Sequence, residues 1–425
     1  MSKYYITVIG CQMNISDSQR LASRLQSFGW QETINRSEAN LNILVTCGVR
    51  QGAEDRIYGL IKQIKKENPQ SAIALTGCLA YRTDIKEKIG QEIDYWFDIN
   101  QLTELEKIIP SIQLPTGSLS HLENYLKITP IYPSKISALV PIGNGCNNFC
   151  SYCVVPYARG REKYRPASEI ITEVKNLIDQ GYQEIKVIAQ NVNSYLDPEN
   201  NLDFTDLLKE LDQLGDYWLS FTTSHPKDMS DKLISFLGSS RNLIKYLHLP
   251  VQAGSNHILK AMNRNYTREH YLNLVQKIRQ ACPDISLTTD IIVGFPGETE
   301  QDFAETCDLV QKVNFDQIYI AQFSVRPGTA AAKLTDNVTI EEKKQRELIL
   351  DKILKQGALK NRKEQINQTV EVLLEEQRNQ HYFGRTNYNQ QILLTSRPDK
   401  NYNLGQRYSA IVTKARNFSL AGQLL

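Results

Sequence analysis

Three cysteines, Cys146, Cys150 and Cys153, lie in the stretch GNGCNNFCSYCVVPYARGR with the spacing C-x3-C-x2-C. Thiolates set this closely along a chain point to a metal site. Structural zinc takes four protein ligands, often as paired C-x2-C sets, and no fourth Cys or His lies near this loop. Thiolate-held iron–sulfur clusters are the natural competitor. Three cysteines on a four-iron cluster leave one iron open, and an open iron can bind a substrate or a cofactor. By spacing alone, zinc remains the alternative.

Three further cysteines share a different pattern. Cys11 ends ITVIGC, Cys47 ends NILVTC and Cys78 ends IALTGC, each one or two residues beyond an apolar strand. In a parallel sheet all strand ends point the same way. The three thiols should therefore lie along one sheet edge, near the usual ligand crevice. One cysteine at a strand end is an ordinary small core residue; three alike predict a second three-cysteine cluster with an open iron. Cys282, late in an amphipathic helix, and Cys307, within another, lack this context and read as core. The six histidines are scattered, and no Walker or zinc-protease string occurs.

The elements that must position these thiols are legible as alternation. YYITVIG, LNILVT, SAIALTG and YWFDI read as strands, separated by the helical SDSQRLASRLQSF, EDRIYGLIKQIKK and DIKEKIG and followed by the helical LTELEKII. That is an open parallel α/β domain over 1–115. Residues 116–134 are richer in Pro, Ser and Thr and read as a linker. From 135 to 360 the strands SALVPIG, EIKVIAQ, YWLSFTT, IKYLHLP, SLTTDIIVGF and DQIYIAQF give six β/α units. These suit a partial barrel as well as a doubly wound sheet. A long charged helix, IEEKKQRELILDKILKQGALKNRKEQI, follows. Over 361–425 the strands are short and joined by Gly, Asn and Pro, a small antiparallel β-barrel.

Composition sets the outer limits. The chain has 425 residues, 41% hydrophobic and 23% charged, with a net charge of +2. The whole chain is therefore no basic nucleic-acid binder. From Ala358 to the end, ten Lys/Arg face five Asp/Glu, which hints at a polyanion-facing tail. No apolar run reaches the ~18 residues of a membrane span, and the N-terminus lacks a secretory signal. A cytoplasmic protein with no membrane partner is expected, and there spaced cysteines mean metal rather than disulfides.

The C-x3-C-x2-C loop after the first strand of a six-unit β/α domain resembles the radical S-adenosylmethionine superfamily. With a second three-cysteine set ahead of it and a small β-barrel behind, the whole chain resembles the methylthiotransferase family. Strings such as GCQMNISDS, TCGVRQGAEDRIYG, IAQNVNSY, FTTSHPKD, HLPVQAGSNHILKAMNRNYT and FSVRPGTAAA are similar to its MiaB-type, tRNA-acting branch. VTCGVR and GCLAYR depart from the usual strings around Cys47 and Cys78 without removing a ligand.

The resemblance implies a cluster domain, a partial (β/α)6 barrel and an RNA-binding TRAM barrel. It implies two 4Fe-4S clusters, one on Cys11, Cys47 and Cys78 that donates sulfur, one on Cys146, Cys150 and Cys153 that binds S-adenosylmethionine. One S-adenosylmethionine methylates the sulfur; a second is cleaved to a radical that opens an unactivated C–H bond. No protein side chain is expected to be catalytic in its own right. The implied substrate is tRNA with N6-isopentenyladenosine 3′ of the anticodon, modified at carbon 2. The same chemistry on threonylcarbamoyladenosine tRNA, or on an aspartate of a ribosomal protein, is the alternative. The implied partners are an electron donor such as flavodoxin or ferredoxin and a sulfur donor system, acting on a monomer.

Around these centres, Gln190, Asn191, Ser224, His225 and Gln252 end barrel strands, where α/β folds place ligands, and are expected cofactor contacts. Gly294 and Gly297 in VGFPGETEQDF either touch the cofactor or only make a turn, with Thr299 the expected N-cap of the next helix. Arg159 and Arg161 meet a phosphate or the cofactor carboxylate, or are solvated. In the C-terminal barrel, Arg385, Lys400, Arg407, Lys414 and Arg416 interleave with Tyr382, Phe383, Tyr388 and Tyr408. Such a set suits folded RNA, whose target adenosine must leave its stack to be reached.

Overall fold

The computed structural model describes residues 2–49, 51–110, 112, 124–397 and 400–425. The N-terminal region is one parallel sheet of β1 (Lys3–Ile9), β2 (Gln31–Glu32), β3 (Leu41–Thr46), β4 (Ala72–Gly77) and β5 (Tyr95–Trp96), in the order β2-β1-β3-β4-β5. β3 is buried along its whole length, as a central parallel strand with both faces covered must be. Alternate residues feed two cores. Leu41, Ile43 and Val45 pack with Leu21 and Leu25 of the helix Gln12–Ser27. Leu44 packs on the other face with Ile57, Ile61 and Ile64 of the helix Gln51–Glu67. Each of those isoleucines contributes roughly 1.5–3 kcal/mol by burial.

The expected linker 116–134 falls partly outside the described residues. Its described part is packed: the 3-10 turn Tyr125–Lys127 puts Tyr125 and Leu126 into the N-terminal core, and Ile131 N–H donates to Gln19 O.

Six parallel strands follow: β6 (Ser137–Pro141), then, beyond β7 (Gly143–Asn144) and β8 (Lys163–Tyr164) that bracket the cysteine loop, β9 (Glu184–Ile188), β10 (Trp218–Thr222), β11 (Tyr246–His248), β12 (Ser286–Val293) and β13 (Gln317–Gln322). They pair as β10-β9-β6 and β11-β12-β13, joined by a parallel bridge between Leu219 and Leu243. β6 and β13 do not pair, so the barrel is partial, as expected. The long helix Ile340–Lys363 starts at Thr339, capped reciprocally with Glu342.

The C-terminal barrel is closed by β14 (Thr369–Arg378), β15 (His381–Thr386), β16 (Gln391–Thr395), β17 (Arg407–Ala415) and β18 (Leu420–Leu424), in the order β14-β15-β16-β18-β17. It is antiparallel except where β18 runs parallel to β16.

The chain forms two compact units that cut across chain order. One holds Met1–Pro133, Gly143–Lys163 and Ser324–Ala332; the other holds Ser134–Ile142, Tyr164–Phe323 and Lys333–Leu425. Both three-cysteine sets therefore belong to the first unit, and both barrels to the second. No helix among the described residues is long and apolar enough to cross a membrane.

Candidate functional site

β1, β3 and β4 are neighbours whose last residues stand in register: Ile9 opposite Thr46, and Thr46 opposite Gly77. Cys47 and Cys78 are the next residues, and their N–H groups extend the ladder to Ile9 O at 2.9 Å and Thr46 O at 2.8 Å. Cys11 follows β1 after Gly10 and forms the N-cap of the helix Gln12–Ser27. Gly77 makes this close approach possible. Its φ is +89°, and a Cβ there would lie 2.4 Å from Thr46 O, so any other residue would push β4 off β3. Asn14 ties two of the strand ends together. Its Oδ1 accepts from the Cys11 N–H at 3.2 Å and the Cys11 thiol at 3.3 Å, and its Nδ2 donates to Thr46 O at 3.3 Å.

The second set is held by a loop folded on itself. Cys146 N–H donates to Gly160 O at 3.1 Å and Cys153 N–H to Cys150 O at 3.0 Å. Gly145, just before Cys146, has φ +86°, and a Cβ there would lie 2.2 Å from Arg161 O. Phe149 packs edge-on to Tyr157 and carries the Arg161 guanidinium 4.3 Å above its ring. Asn148 Nδ2 and Val155 N–H point at the sulfurs of Cys146 and Cys153, at 3.6 and 3.5 Å.

Burial governs the thiols of both sets. Burial pushes the Cys146 thiol up to about 11. Burial also raises Cys153, whose surroundings include Cys150, Cys146 and, from the other set, Cys78. Cys11 is exposed by area, yet protein packs densely enough around its sulfur that desolvation is the leading cause raising its thiol, with Cys78 adding to it. These thiols stay protonated without metal and give up their protons on binding it, so binding strengthens as pH rises.

Arg159 is not solvated, which corrects that alternative. It is buried, with Nη2 2.5 Å from Asp17 Oδ2 and Nη1 3.1 Å from Asn144 Oδ1. Tyr125 Oη donates to Asp17 Oδ1 at 3.2 Å. The pair joins the Cys146 loop to the helix that Cys11 caps, and the Arg159 charge pulls the Cys11 thiol back down. Sequence reasoning missed Asn14 and Asp17. The signal was a polar stripe: Asn14, Ser16, Asp17, Ser18, Gln19 and Arg20 are all buried in one helix. Also unforeseen, buried Arg326 donates through Nη1 to Gln51 Oε1 at 2.9 Å and Glu54 Oε2 at 3.3 Å, and Arg82 Nη1 reaches the same Glu54 oxygen at 3.3 Å. This arginine–glutamate knot sits at the start of the helix that follows Cys47.

Among the described residues, no three His, Cys, Asp or Glu side chains converge on the position of a single ion. Zinc needs sulfur at about 2.3 Å from one centre. Three thiols on three neighbouring strand ends would hold three irons of a four-iron cluster and leave the fourth open.

In the second unit, β9 and β10 are in register to Ile188 and Thr222. Beyond those ends, Asn191 Nδ2 donates to Asp228 Oδ2 at 2.7 Å. Asn191 Oδ1 and Ser224 Oγ, however, are buried with no hydrogen-bond partner. Such orphans are costly unless a ligand meets them. Thr223 and Gln252 hold φ of +73° and +72°, conformations that non-glycine residues keep mainly at functional sites. Gln252 also bridges to β12, its N–H donating to Asp290 O and its O accepting from Ile292 N–H, both at 2.9 Å. Asn191, Ser224 and Gln252 thus fit a polar cofactor at the strand ends, with half-buried Gln190 beside Asn191 in sequence.

His225 plays a different part. Its Nδ1 accepts from Lys227 N–H at 3.2 Å, and its pKa is pushed down to about 2, by burial first and then by Arg264 and Lys227. It is a neutral capping residue. Gly294 and Gly297 donate their N–H groups to Glu298 Oε2 at 2.6 Å and Asn337 Oδ1 at 2.7 Å. Those two donors are engaged within the loop, as a turn requires. Thr299 caps the next helix reciprocally with Asp302, as expected.

Two family models match the chain: "Radical SAM superfamily" over residues 140–310 and "Uncharacterized protein family UPF0004" over residues 3–98. A protein of Syntrophomonas wolfei subsp. wolfei named tRNA-2-methylthio-N(6)-dimethylallyladenosine synthase is 40% identical over 99% of this chain and 97% of its own length. A protein of the same name from Carboxydothermus hydrogenoformans is 39% identical over 99% of each. The chain belongs to the tRNA-2-methylthio-N(6)-dimethylallyladenosine synthase family. Among solved structures it is similar to the radical S-adenosylmethionine methyltransferase TsrM of Kitasatospora setae, with a TM-score of 0.50 at 14% identity over 76% of this chain and 73% of that one. It is also similar to the apo form of the cobalamin-dependent S-adenosylmethionine radical enzyme OxsB, with a TM-score of 0.51 at 11% identity over 83% and 56%. Those two likenesses concern the fold.

In this synthase-family chain the C-terminal barrel uses two of its five expected RNA contacts internally. Arg385 Nη2 lies 2.6 Å from both Glu184 Oε2 and Glu375 Oε1. Arg407 Nη2 lies 2.8 Å from Asp216 Oδ2. With Trp218 Nε1 donating to Glu371 Oε2 at 2.6 Å, they fasten the small barrel to the starts of β9 and β10. Neither guanidinium is available to phosphate, because acids on another element meet both. Lys400, Lys414 and Arg416 are exposed. Tyr382 is buried in a core stack with Tyr402, which meets Tyr408. Phe383 and Tyr388 stay half-buried.

Proposed function

We propose that this chain is a radical S-adenosylmethionine tRNA methylthiotransferase that places a methylthio group on carbon 2 of N6-isopentenyladenosine, 3′ of the anticodon, using two S-adenosylmethionine. The observation that carries the reading is the pair of three-cysteine sets in one compact unit, one on register-matched strand ends and one on a self-closed loop. Family membership over the full chain supports the substrate.

When bound, two 4Fe-4S clusters and S-adenosylmethionine supply a sulfur, a methyl group and a hydrogen-atom acceptor. The chain does the holding. Cys11, Cys47 and Cys78 hold the sulfur-donating cluster; Cys146, Cys150 and Cys153 hold the cluster that takes S-adenosylmethionine. The Asp17–Arg159 pair ties the segment of the second set to the helix that Cys11 caps, and Asn14 ties Cys11 to the end of β3. Asn191, Ser224 and Gln252 orient the cofactor's polar groups. Lys400, Lys414 and Arg416 hold the RNA backbone. A tRNA substrate sets the enzyme in the cytoplasm, as a monomer served by a flavodoxin or ferredoxin and a sulfur donor system.

Nucleoside analysis tests the reading. Reduced, reconstituted enzyme with S-adenosylmethionine converts isopentenylated tRNA to the 2-methylthio form. Conversion of threonylcarbamoyladenosine tRNA alone, or of a ribosomal protein alone, overturns the substrate; no 5′-deoxyadenosine at all overturns the reaction class.

A further inference from the structure

The sheet edge that carries Cys78 also walls a cavity of about 170 Å³. Gly77 and Tyr81 line it from the turn around Cys78, Trp96 from the end of β5, and Ala158 from the residue before Arg159 in the second cysteine segment. Lys86 and Gln101 complete the rim. All six belong to the first unit; Gly77 directly precedes Cys78, and Ala158 lies on the segment that carries the second cysteine set.

Its chemistry is that of a base-binding slot. Trp96 presents a half-buried indole, packed in part on the core and with Lys86 Nζ over its ring at 5.5 Å from the centroid, a lysine that an entering base would displace towards its own phosphate. Gln101 Oε1 is fixed by the Asp98 N–H at 2.9 Å, which turns the carboxamide NH2 away from that bond as a donor. Tyr81 Oη is buried with no hydrogen-bond partner. An aromatic face, a cation at the rim and an oriented amide donor are the groups by which proteins take single-stranded nucleic acid: stacking for the base, charge for its phosphate. The volume is below the ~300–1,000 Å³ of drug-sized pockets, which suits one planar base and not a whole nucleotide.

We propose that this cavity binds an unpaired base of the substrate RNA adjacent to the target adenosine. The proposal rests on the RNA substrate argued above and adds a second anchoring point to it. The target must be presented to both cysteine sets, and its sequence neighbour then lies within reach of a slot lined by Gly77, next to Cys78, and by Ala158, on the segment of the second set. Stacking that neighbour on Trp96 holds the single-stranded loop splayed, so the target cannot restack.

Fluorescence tests it on the full-length, anaerobically reconstituted enzyme. Of the three tryptophans, Trp30 and Trp218 are buried, so Trp96 is the natural reporter. A synthetic anticodon stem-loop carrying isopentenyladenosine quenches the emission, and the quench is absent in Trp96→Phe. Trp96→Ala, with iron content and visible spectrum as in wild type, raises the Kd fivefold or more, the scale of one lost base stack. An abasic residue beside the target weakens wild type equally and weakens Trp96→Ala no further. Should Trp96→Ala fail to fold, Lys86→Met on the surface lowers the salt dependence of binding by about one phosphate contact. Unchanged quench and unchanged Kd overturn the slot while product formation leaves the enzyme reading intact. Quench and abasic sensitivity without product leave the slot standing and sink the enzyme reading.

Discussion

At Cys11, Cys47 and Cys78 the backbone does the positioning before any metal arrives, because the thiols extend strands already in register. Cys11→Ala keeps that backbone and removes one ligand. Iron per chain should fall from about eight to about four. Reduced enzyme still forms 5′-deoxyadenosine from S-adenosylmethionine, and the methylthio nucleoside disappears. Iron analysis and chromatography of both products check this. Asp17→Asn keeps the side chain's shape but leaves Arg159 buried without its acid. Breaking such a pair costs roughly 3–5 kcal/mol, which denaturant unfolding of the full chain should show. His225 gives a pH signature. Its folded pKa is held to about 2 against about 6.5 unfolded, so only the unfolded chain takes up this proton. Stability is complete above pH ~6.5 and falls with acid by about 1.4 kcal/mol per unit. His225→Asn should remove that slope from the difference between the two proteins' denaturant midpoints. At this scale the sequence told only half the story. The six thiols were legible because strand ends and close spacing are local. Asp17 and Arg159 were not, because 142 residues separate them and each alone looks like a surface charge.

Short apolar runs bounded by turn residues made β1, β3, β4 and all six strands of the partial barrel legible. β2 has two residues, too few for any pattern, and β18 carries a glycine in a five-residue strand, so neither stood out. What no strand pattern reveals is how one element meets another, and Arg385 shows the consequence. Burial would raise the Glu184 carboxyl, but the charges of Lys186 and Arg385 and hydrogen bonds from Arg385 and Ser137 outweigh it and hold it well below the usual carboxylate range. The contribution is complete above the unfolded value near pH 4.3 and is lost as acid titrates the folded carboxylate. Arg385→Met leaves Glu184 buried alone and should destabilise the second unit by roughly 3–5 kcal/mol. Adding Glu184→Gln should recover part of the loss. The gap between wild type and that double variant stays constant from about pH 5 upward and narrows below about pH 4; urea titrations across pH measure it.

For the whole molecule, the near-neutral charge excludes binding RNA by bulk attraction, so contact must be made by placed groups. The tail's excess of basic residues overstates what faces outward, since Arg385 and Arg407 serve as bolts between barrels. Lys400, Lys414 and Arg416 remain on the surface of the small barrel. On the proposed function their work is to hold tRNA. Neutralising all three to alanine should raise the Kd for tRNA and reduce the slope of log K against log salt by about 2–3, since each phosphate contact carries roughly 0.7–0.9. The rate at saturating tRNA should stay as in wild type, because each residue acts on binding equally before and during reaction. Filter binding across salt concentrations, paired with single-turnover rates, separates the two. A fall in the saturated rate would mean that the small barrel also sets how the adenosine is presented. An unchanged slope would move the phosphate contacts off this face, with Lys86 at the base slot supplying one of them.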